Sequence, residues 1–460
     1  MSARGVLMSA YSPAERAAVS TLAGLFSLRM VGLFMLLPVL SVFGAGLPGA
    51  TPALVGLAVG AYGLAQLLLQ IPFGLWADRF DRRRLIVIGL ALFVLGGLVA
   101  ALSTSIWGVI LGRFLQGAGA ISAVVMALLS DLVREQHRTR AMATVGMSIG
   151  LSFAVAFILG PWLASWVGLS GVFLATSAMG LAGIALCLLK VPHVERPRQQ
   201  LPVHYGQQLL TMLRHPELLR LDVGIFVLHL VMTACFVIIP PQLVAAGLPA
   251  SQHGWLYLPV MLAAFVGLIP LVILAEKRGH LREVFWSAIA LLAVAMAVLA
   301  CLYQGLTGLV LAVALFFLAF NLLEALLPSL VSKVSPAGGK GTAMGIYSTS
   351  QFLGAFLGGV LGGVLPQWLA MPAVYGVLAV LALGWLAVAW RMAPPLSLHG
   401  LAITPLEGPL SAEQLQILRE LPGVHEVVVL PDEAVIHVKI DRRLWQPGPV
   451  NAWPVRIVQA

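Results

Sequence analysis

From residue 17 to residue 392 the chain alternates long apolar stretches with short polar segments. Twelve stretches can be drawn, at 17–43, 51–75, 84–102, 105–131, 140–166, 170–191, 221–246, 251–276, 283–303, 306–332, 340–365 and 371–392. A spanning helix needs roughly 20 apolar residues, so the pattern predicts twelve transmembrane helices. The first stretch reads as a helix and not a cleaved signal peptide, because it contains Arg29, runs too long and has no small-residue cleavage site after a short apolar core. The longest polar interval, His193 to about Glu217, has Pro192, Pro197, Pro202 and Pro216 in or beside it, which predicts irregular or short helical structure. It divides the spans six and six.

Charge then gives the pattern a direction. Apart from Arg29 and Arg113, every Lys and Arg up to Arg391 falls in segments on one side of the alternating series, among them Arg79 to Arg84, Arg134 to Arg140, Lys190 to Arg220 and Lys277 to Arg282. The intervening segments, around Gly44 to Thr51, Ser103 to Ser105, Val167 to Gly171, Gly247 to Gln252, Tyr303 to Thr307 and Pro366 to Met371, hold none. The positive-inside rule places the charged segments and both termini in the cytoplasm, and predicts a multi-pass membrane protein. With 60% hydrophobic and 10% charged residues, the chain needs lipid as its solvent. The net charge of +9 does not point to nucleic acid: the part through Arg391 carries 22 basic and 11 acidic residues, so the excess lies in the membrane part and faces anionic lipid. Cys187, Cys235 and Cys301 are separated within apolar spans, which gives neither a disulfide framework nor a metal site.

The two sets of six repeat. Ile71-Pro-Phe-Gly-Leu-Trp-Ala-Asp-Arg, ending the second span, parallels Ile269-Pro-Leu-Val-Ile-Leu-Ala-Glu-Lys, ending the eighth, at an offset of 198 residues that pairs Asp78 with Glu276 and Arg79 with Lys277. Ala141-Met142 and Ala343-Met344 echo each other at the entries to spans five and eleven. Parallel repeats about an axis along the membrane normal, with a site between them at mid-depth, are a known transporter architecture.

Three motifs sharpen this. Gly74-Leu-Trp-Ala-Asp78-Arg79-Phe-Asp81-Arg82-Arg83-Arg84 follows span two, Arg113-Phe-Leu-Gln116-Gly117-Ala-Gly119 lies in span four, and Gly150, Gly160 and Pro161 lie in span five. They resemble motifs A, B and C of the major facilitator superfamily. Ser27-Leu-Arg29-Met-Val-Gly-Leu-Phe-Met35, Ser130-Asp-Leu-Val-Arg-Glu, Asn321-Leu-Leu-Glu324-Ala-Leu-Leu-Pro-Ser and Ser335-Pro-Ala-Gly extend the resemblance to YajR-type bacterial inner-membrane exporters, which carry a small cytoplasmic domain after the twelfth helix. Two departures stand out: Asp81 where motif A usually has Gly, and Trp162-Leu-Ala-Ser165 where small residues usually follow motif C. The resemblance implies that motif A latches the two halves in the outward-facing state, through Asp78, Arg82 and Asp131, and that motif C belongs to antiporters. For Arg83 and Arg84 the reading is topology alone.

Well inside the spans, away from their ends, the ionisable groups singled out are Arg29, Arg113, His229 and Glu324. A charge at bilayer depth costs at least about 2.5–3.5 kcal/mol, so each needs a partner or a water-filled cavity. Glu324 is the acid placed well inside a span, and desolvation favours the protonated form of a carboxyl, which suits proton coupling. The alternative is a permanently ionised partner of an interior arginine. His229 is the second coupling candidate against an ordinary packing role, and Arg29 and Arg113 fit structural or gating hydrogen bonds better than substrate binding. Tyr62, Gln66 and Gln70 share a face of span two, and Tyr347 and Gln351 a face of span eleven; with Arg29 they are the candidate cavity lining, and Met30, Phe34 and Met35 a candidate apolar wall. Gly354, Gly358, Gly359, Gly362 and Gly363, like the glycines of motif C, predict close helix packing.

The tail from about Leu396 is different material. Leu398 to Thr404 reads as a strand, Ser411 caps a helix through Leu421, and Glu426 to Leu430 and Ala434 to Ile440 form a hairpin around Pro431-Asp432-Glu433. This β-α-β-β order predicts a ferredoxin-like α+β domain, with Pro447, Pro449 and Pro454 shortening its last half-unit. It lacks the Cys pair that soft-metal binding needs. A regulatory ligand or protein contact for the tail and a passive appendage are equal readings.

The expected fold is thus an all-α membrane protein of twelve transmembrane helices in two parallel-repeat halves plus a small α+β domain, divided as 1–192, linker 193–217, 218–395 and 396–460. The expected function is proton-coupled export of a small amphiphilic molecule by alternating access, from a monomer whose partners are substrate, protons and membrane lipid. No cofactor, metal, nucleic-acid contact or enzyme activity is called for. The alternatives are an uptake symporter of the same fold and a membrane sensor signalling through its tail.

Overall fold

The computed structural model describes residues 11–192, 205–277, 280–336, 339–392, 398–405, 410–429, 436–441, 444–446, 448, 450 and 453–459. The helices are α1 (Pro13–Phe43), α2 (Pro52–Arg79), α3 (Arg82–Leu102), α4 (Ile106–Ala118), α5 (Ser122–Leu132), α6 (Glu135–Lys190), α7 (Tyr205–Arg214), α8 (Pro216–Ala245), α9 (His253–Lys277), α10 (Leu281–Leu302), α11 (Leu306–Val334), α12 (Lys340–Trp368) and α13 (Met371–Trp390). Among the described residues eleven helical segments are long and apolar enough to cross a membrane. One of them, Arg140–Lys190, has 51 residues. At 1.5 Å per residue that is more than twice a bilayer core of about 30 Å. Gly168, at φ 67° and ψ −175°, interrupts its helical geometry inside the segment where the sequence predicts a loop between spans five and six. Such a backbone conformation favours glycine.

Span four departs from expectation. The sequence predicts one helix over 105–131, but α4 stops at Ala118 and α5 starts at Ser122. The cause is tertiary: a Cβ on Gly117 would stand 2.3 Å from the Tyr62 carbonyl oxygen, and one on Gly119 2.1 Å from that of Gly89. The chain presses onto the backbones of α2 and α3 at the cost of its own helical bonds. The linker residues 193–204 lie outside the described residues; beyond them α7 is a short helix ahead of α8.

Neighbour relations repeat between the helices before residue 193 and those after 204. In the first set α1 packs on α6, α3 on α4 and α6, and α2 on α4; in the second α8 packs on α12, α10 on α11 and α13, and α9 on α11. The end of α2 at Arg79 and that of α9 at Lys277 are 198 residues apart. The side chains of Asp78, Glu276 and Lys277, which carry the sequence repeat there, lie outside the described residues.

The two sets meet mainly through α12 against α2, with smaller contacts of α6 on α9 and of α1 on α8. A Cβ on Gly354 or Gly358 would stand 2.2 Å from the carbonyl oxygen of Phe226 or Leu230 in α8, so one glycine row of α12 packs within its own set. A second row faces α2: a Cβ on Gly359 would stand 2.7 Å from the Gly56 oxygen, one on Gly363 2.2 Å from that of Pro52, and one on Gly60 2.7 Å from that of Phe356. These contacts lie toward the end of the bundle that has no Lys or Arg in its loops. Gly74 on α2 and Gly341 and Gly345 on α12, toward the positively charged end, have no atom of another described element within 4 Å of an added Cβ.

The tail forms a four-stranded sheet of β1 (Leu398–Pro405), β2 (Val424–Val429), β3 (Ile436–Asp441) and β4 (Val455–Gln459) in the order β2-β3-β1-β4, every pair antiparallel. Its helix α14 (Ala412–Glu420) starts at a capping box made by Ser411 and Gln414. Leu401, Ile403, Leu418, Ile436, Val438, Ile440 and Val450 form a small core. The hairpin turn 431–433 and the connection 393–395 lie outside the described residues. Strand β4 follows three prolines and was not legible as a strand.

Candidate translocation site

The polar group deepest in the second set is built by three helices. His229 (α8) places Nε2 3.4 Å from Oε1 of Glu324 (α11), and its Nε2 lies 2.8 Å from the Gln351 amide (α12). His229 is 7% exposed, whereas the Glu324 side chain is 31% exposed. Tyr347, one turn from Gln351, is buried with its hydroxyl unpaired among the described residues, as are Nδ2 of Asn321 and Nδ1 of His229. Buried polar atoms left open in this way are sites for water, protons or ligand.

Beside this group lies an aromatic layer shared by both sets. Phe153 and Phe157 of α6 meet Phe34 of α1 on one side, and Phe236 of α8, Tyr257 of α9 and Phe317 and Phe320 of α11 on the other, with centroid separations such as 4.6 Å for Phe157–Phe236 and 5.5 Å for Phe157–Tyr257. The His229 ring is 5.8 Å from that of Phe320. Glu324 follows Phe320 by one turn, and His229 precedes Phe236 by two. Both therefore sit on the positively charged side of the layer, away from the end that the glycine contacts between α2 and α12 seal. Of the expected apolar wall, Phe34 touches this layer and Met35 is fully buried, while Met30 packs with Leu33 and Tyr62.

The polar residues of the first set form a separate network with a different task. Arg29 donates to the Ser122 hydroxyl (3.1 Å), the Tyr62 hydroxyl (2.8 Å) and the Gly119 carbonyl (2.9 Å), and Gln66 donates to the Gly117 carbonyl at 2.8 Å. They satisfy the carbonyls that the break between α4 and α5 releases, which backbone in lipid requires. Arg113 donates to Gln116 (3.1 Å) and stacks over the Tyr62 ring, and Gln116 reaches Thr176 at 3.1 Å. Arg29, Tyr62, Gln66, Gln70, Arg113 and Gln116 are all buried. As a candidate cavity lining, Arg29, Tyr62, Gln66 and Gln70 are thus placed in or beside a sealed brace; same-face spacing is common to both arrangements.

In motif A, Arg82 donates to Asp131 Oδ2 at 2.6 Å and to the carbonyls of Ala127 and Ala77, joining the loop to the end of α5. Arg79 is exposed. The Asp78 side chain lies outside the described residues, and Gly74 has open space around it. Asp81, the departure from the family pattern, caps α3 by accepting from the Arg84 N–H at 2.8 Å. Arg83 donates to the Leu188 carbonyl, so it does more than fix topology. In motif C, Gly160 packs onto α1, where a Cβ would stand 2.5 Å from the Met35 oxygen, but no atom of another element among the described residues lies within 4 Å of a Cβ on Gly150. The expectation of close packing at Gly150 is corrected accordingly. Pro161 lies within α6.

Two acids escaped the sequence reading. Glu15 precedes the expected start of span one, yet it is buried, accepts from Arg134 at 2.9 Å and lies 3.2 Å from His137 Nδ1, pinning the start of α1 to that of α6. Its signal was the capping box with Ser12. Asp222 is buried six residues into α8; it stands one residue inside the expected start of its span at 221, and the sequence reading did not single it out.

The comparisons with known proteins agree with this architecture. The family described as Major Facilitator Superfamily matches residues 18–239 and again 221–445. The chain is 46% identical to the inner membrane transport protein YajR of Escherichia coli over 94% of this chain and 96% of that protein. It is 26% identical to multidrug resistance protein 2 of Bacillus subtilis over 70% and 82% of the two chains. Among solved structures, a D-xylose-proton symporter superposes with a TM-score of 0.65 at 16% identity, covering 83% of this chain and 98% of its own. The chain belongs to the Major Facilitator Superfamily, whose members are transporters and not enzymes.

Proposed function

We propose that the protein exports a small amphiphilic molecule across the cell inner membrane by alternating access, driven by inward proton flow through Glu324 and His229. The observation that carries this is the placement of Glu324: a carboxyl at bilayer depth, 3.4 Å from His229, on the side of the aromatic layer away from the sealed end. A carboxyl there is cheapest in its neutral form, and its exposure alternates when the halves rock. Relatives named as an inner membrane transport protein and a multidrug resistance protein support membrane export. The positively charged loops support a cytoplasmic location for both termini.

Purified protein in liposomes, with a pH gradient imposed and a panel of fluorescent amphiphiles as probes, tests the reading. Probe movement opposite to protons is the expected result. Movement with protons would assign uptake symport, and binding without flux would assign a sensor. In the same assay Asp78→Asn should cut flux about tenfold or more while insertion stays normal, because motif A with Arg82 and Asp131 acts as the latch of the outward-facing state. Normal flux in that variant removes Asp78 from the role.

We further propose the halves 1–192 and 218–395, joined by 193–217, with residues 396–460 as an independent cytoplasmic unit of ferredoxin-like topology. The antiparallel order β2-β3-β1-β4 around one helix supports this. Ending the chain at Pro395 should leave a monodisperse bundle that still binds its probes. Aggregation of that truncated protein in detergent would make the tail an integral part of the fold.

A further inference from the structure

Asp222 is a buried carboxylate with no assigned task. It is 8% exposed, and it makes no hydrogen bond or ion pair among the described residues. The elements packed on α8 carry basic side chains at Arg16 and Arg29 (α1), Arg79 (α2), Arg214 (α7), Lys333 (α11) and Lys340 (α12), and none of these bonds to it. Removing a carboxylate from water without a partner is costly, so its retention there calls for a use. Its place suggests one. Asp222 precedes His229 by two helical turns on the same face of α8, toward the positively charged end. On α12, Tyr347 precedes Gln351 by one turn, and Gln351 touches His229. The glycine contacts between α8 and α12 fix the two helices as parallel, so these steps descend together. The Gly354 contact on Phe226 sets residue 350 of α12 level with Asp222, so Tyr347 lies within about a turn of it; Tyr347 is 3% exposed, and its hydroxyl is unpaired among the described residues.

We propose that Tyr347 and Asp222 form the proton exit from Glu324 to the positively charged end of the bundle. This rests on the proton-coupled reading above. The Tyr347 hydroxyl accepts a proton from the Glu324 carboxyl, directly or through one water, as its own O–H proton passes to the Asp222 carboxylate. Tyr347 ends neutral as it began, and Asp222 releases the proton to water. The net change is one proton moved from Glu324 to solvent, with no other reactant.

The test compares wild type, Asp222→Asn, Asp222→Glu and Tyr347→Phe in liposomes, using an amphiphilic dye that the wild type moves. Gradient-driven flux should fall at least about tenfold in Asp222→Asn and Tyr347→Phe, in line with the usual worth of positioned proton-transfer groups. Dye-for-dye exchange without a gradient should be unchanged in Asp222→Asn. Asp222→Glu should recover most of the flux, and the slowing of wild-type flux in D2O should change in the variants, which a packing defect would not produce. If wild-type flux responds to the gradient and Asp222→Asn behaves like wild type, the exit is overturned while the coupling role of Glu324 stands. If the wild type shows no response to the gradient, the coupled reading falls, and this inference falls with it. A loss of exchange in Asp222→Asn equal to its loss of driven flux would reduce Asp222 to a structural residue and overturn the exit.

Discussion

Glu324→Gln is expected to abolish transport driven by a pH gradient, by about two orders of magnitude or more, while leaving probe binding and gradient-free exchange near wild type. Gln has the shape of the protonated acid and cannot release a proton, so the variant holds one charge state permanently. In the wild type, Glu324 loses its proton only where water or His229 at 3.4 Å stabilises the anion, because an unpaired charge at bilayer depth costs at least about 2.5–3.5 kcal/mol. That cost is what ties proton movement to the conformational cycle. Full gradient-driven flux in Glu324→Gln would transfer the role to His229, for which His229→Gln is the next variant. Loss of exchange as well would mean that Glu324 holds the substrate and does not merely time the cycle.

The second large effect is expected at Gly60, whose Cβ would meet the Phe356 carbonyl oxygen of α12 at 2.7 Å. The obstacle is backbone, which cannot rotate aside as a side chain can. Gly60→Val should therefore prevent the sealed end from closing and hold the bundle open there, with transport lost and the fold retained, since the clash exists only when the two sets touch. Gly354→Val is the contrast: its obstacle is the Phe226 oxygen of α8, 2.2 Å away within the same set, so it should lower expression and thermal stability in every conformation. Overpacking of this kind costs about 1–3 kcal/mol or more. Labelling of Phe157→Cys, on a Cys301→Ser background, by an impermeant thiol reagent from the sealed side reads the difference. Gly60→Val should raise labelling severalfold, and unchanged labelling with normal flux would show that α2 and α12 can part without closing on each other.

Much of this was legible in the chain because membranes impose strong rules on sequence. The charged and uncharged loops marked the crossings, and depth singled out Glu324 and His229 one by one, though not their approach to 3.4 Å across α8 and α11. Close packing at Gly354 to Gly363 followed from residue size alone. Other features depend on what lies opposite a residue, which spacing does not encode. Tyr62, Gln66 and Gln70 share a face as expected, yet the face meets Arg29 and the broken ends of α4 and α5. The break itself was hidden, since Gly117 and Gly119 read as ordinary small residues until the backbones of α2 and α3 are placed against them. Asp222 and Glu15 were lost at helix boundaries drawn by hydropathy, where a buried acid and an interfacial one look alike.

The two glycine rows of α12 differ in permanence, and this bears on how abruptly the protein can switch. Contacts made by bare backbone are short-ranged: dispersion and weak C–H···O attraction fade within about an ångström of separation. The row facing α2 therefore behaves as a detent, holding firmly when seated and pulling hardly at all once parted. The row facing α8 keeps α12 moving with its own set, so release proceeds as a rigid rotation and not as the peeling of one helix. Watched one molecule at a time, such a bundle should dwell in two discrete positions with sharp jumps between them and show no continuum of partly open forms.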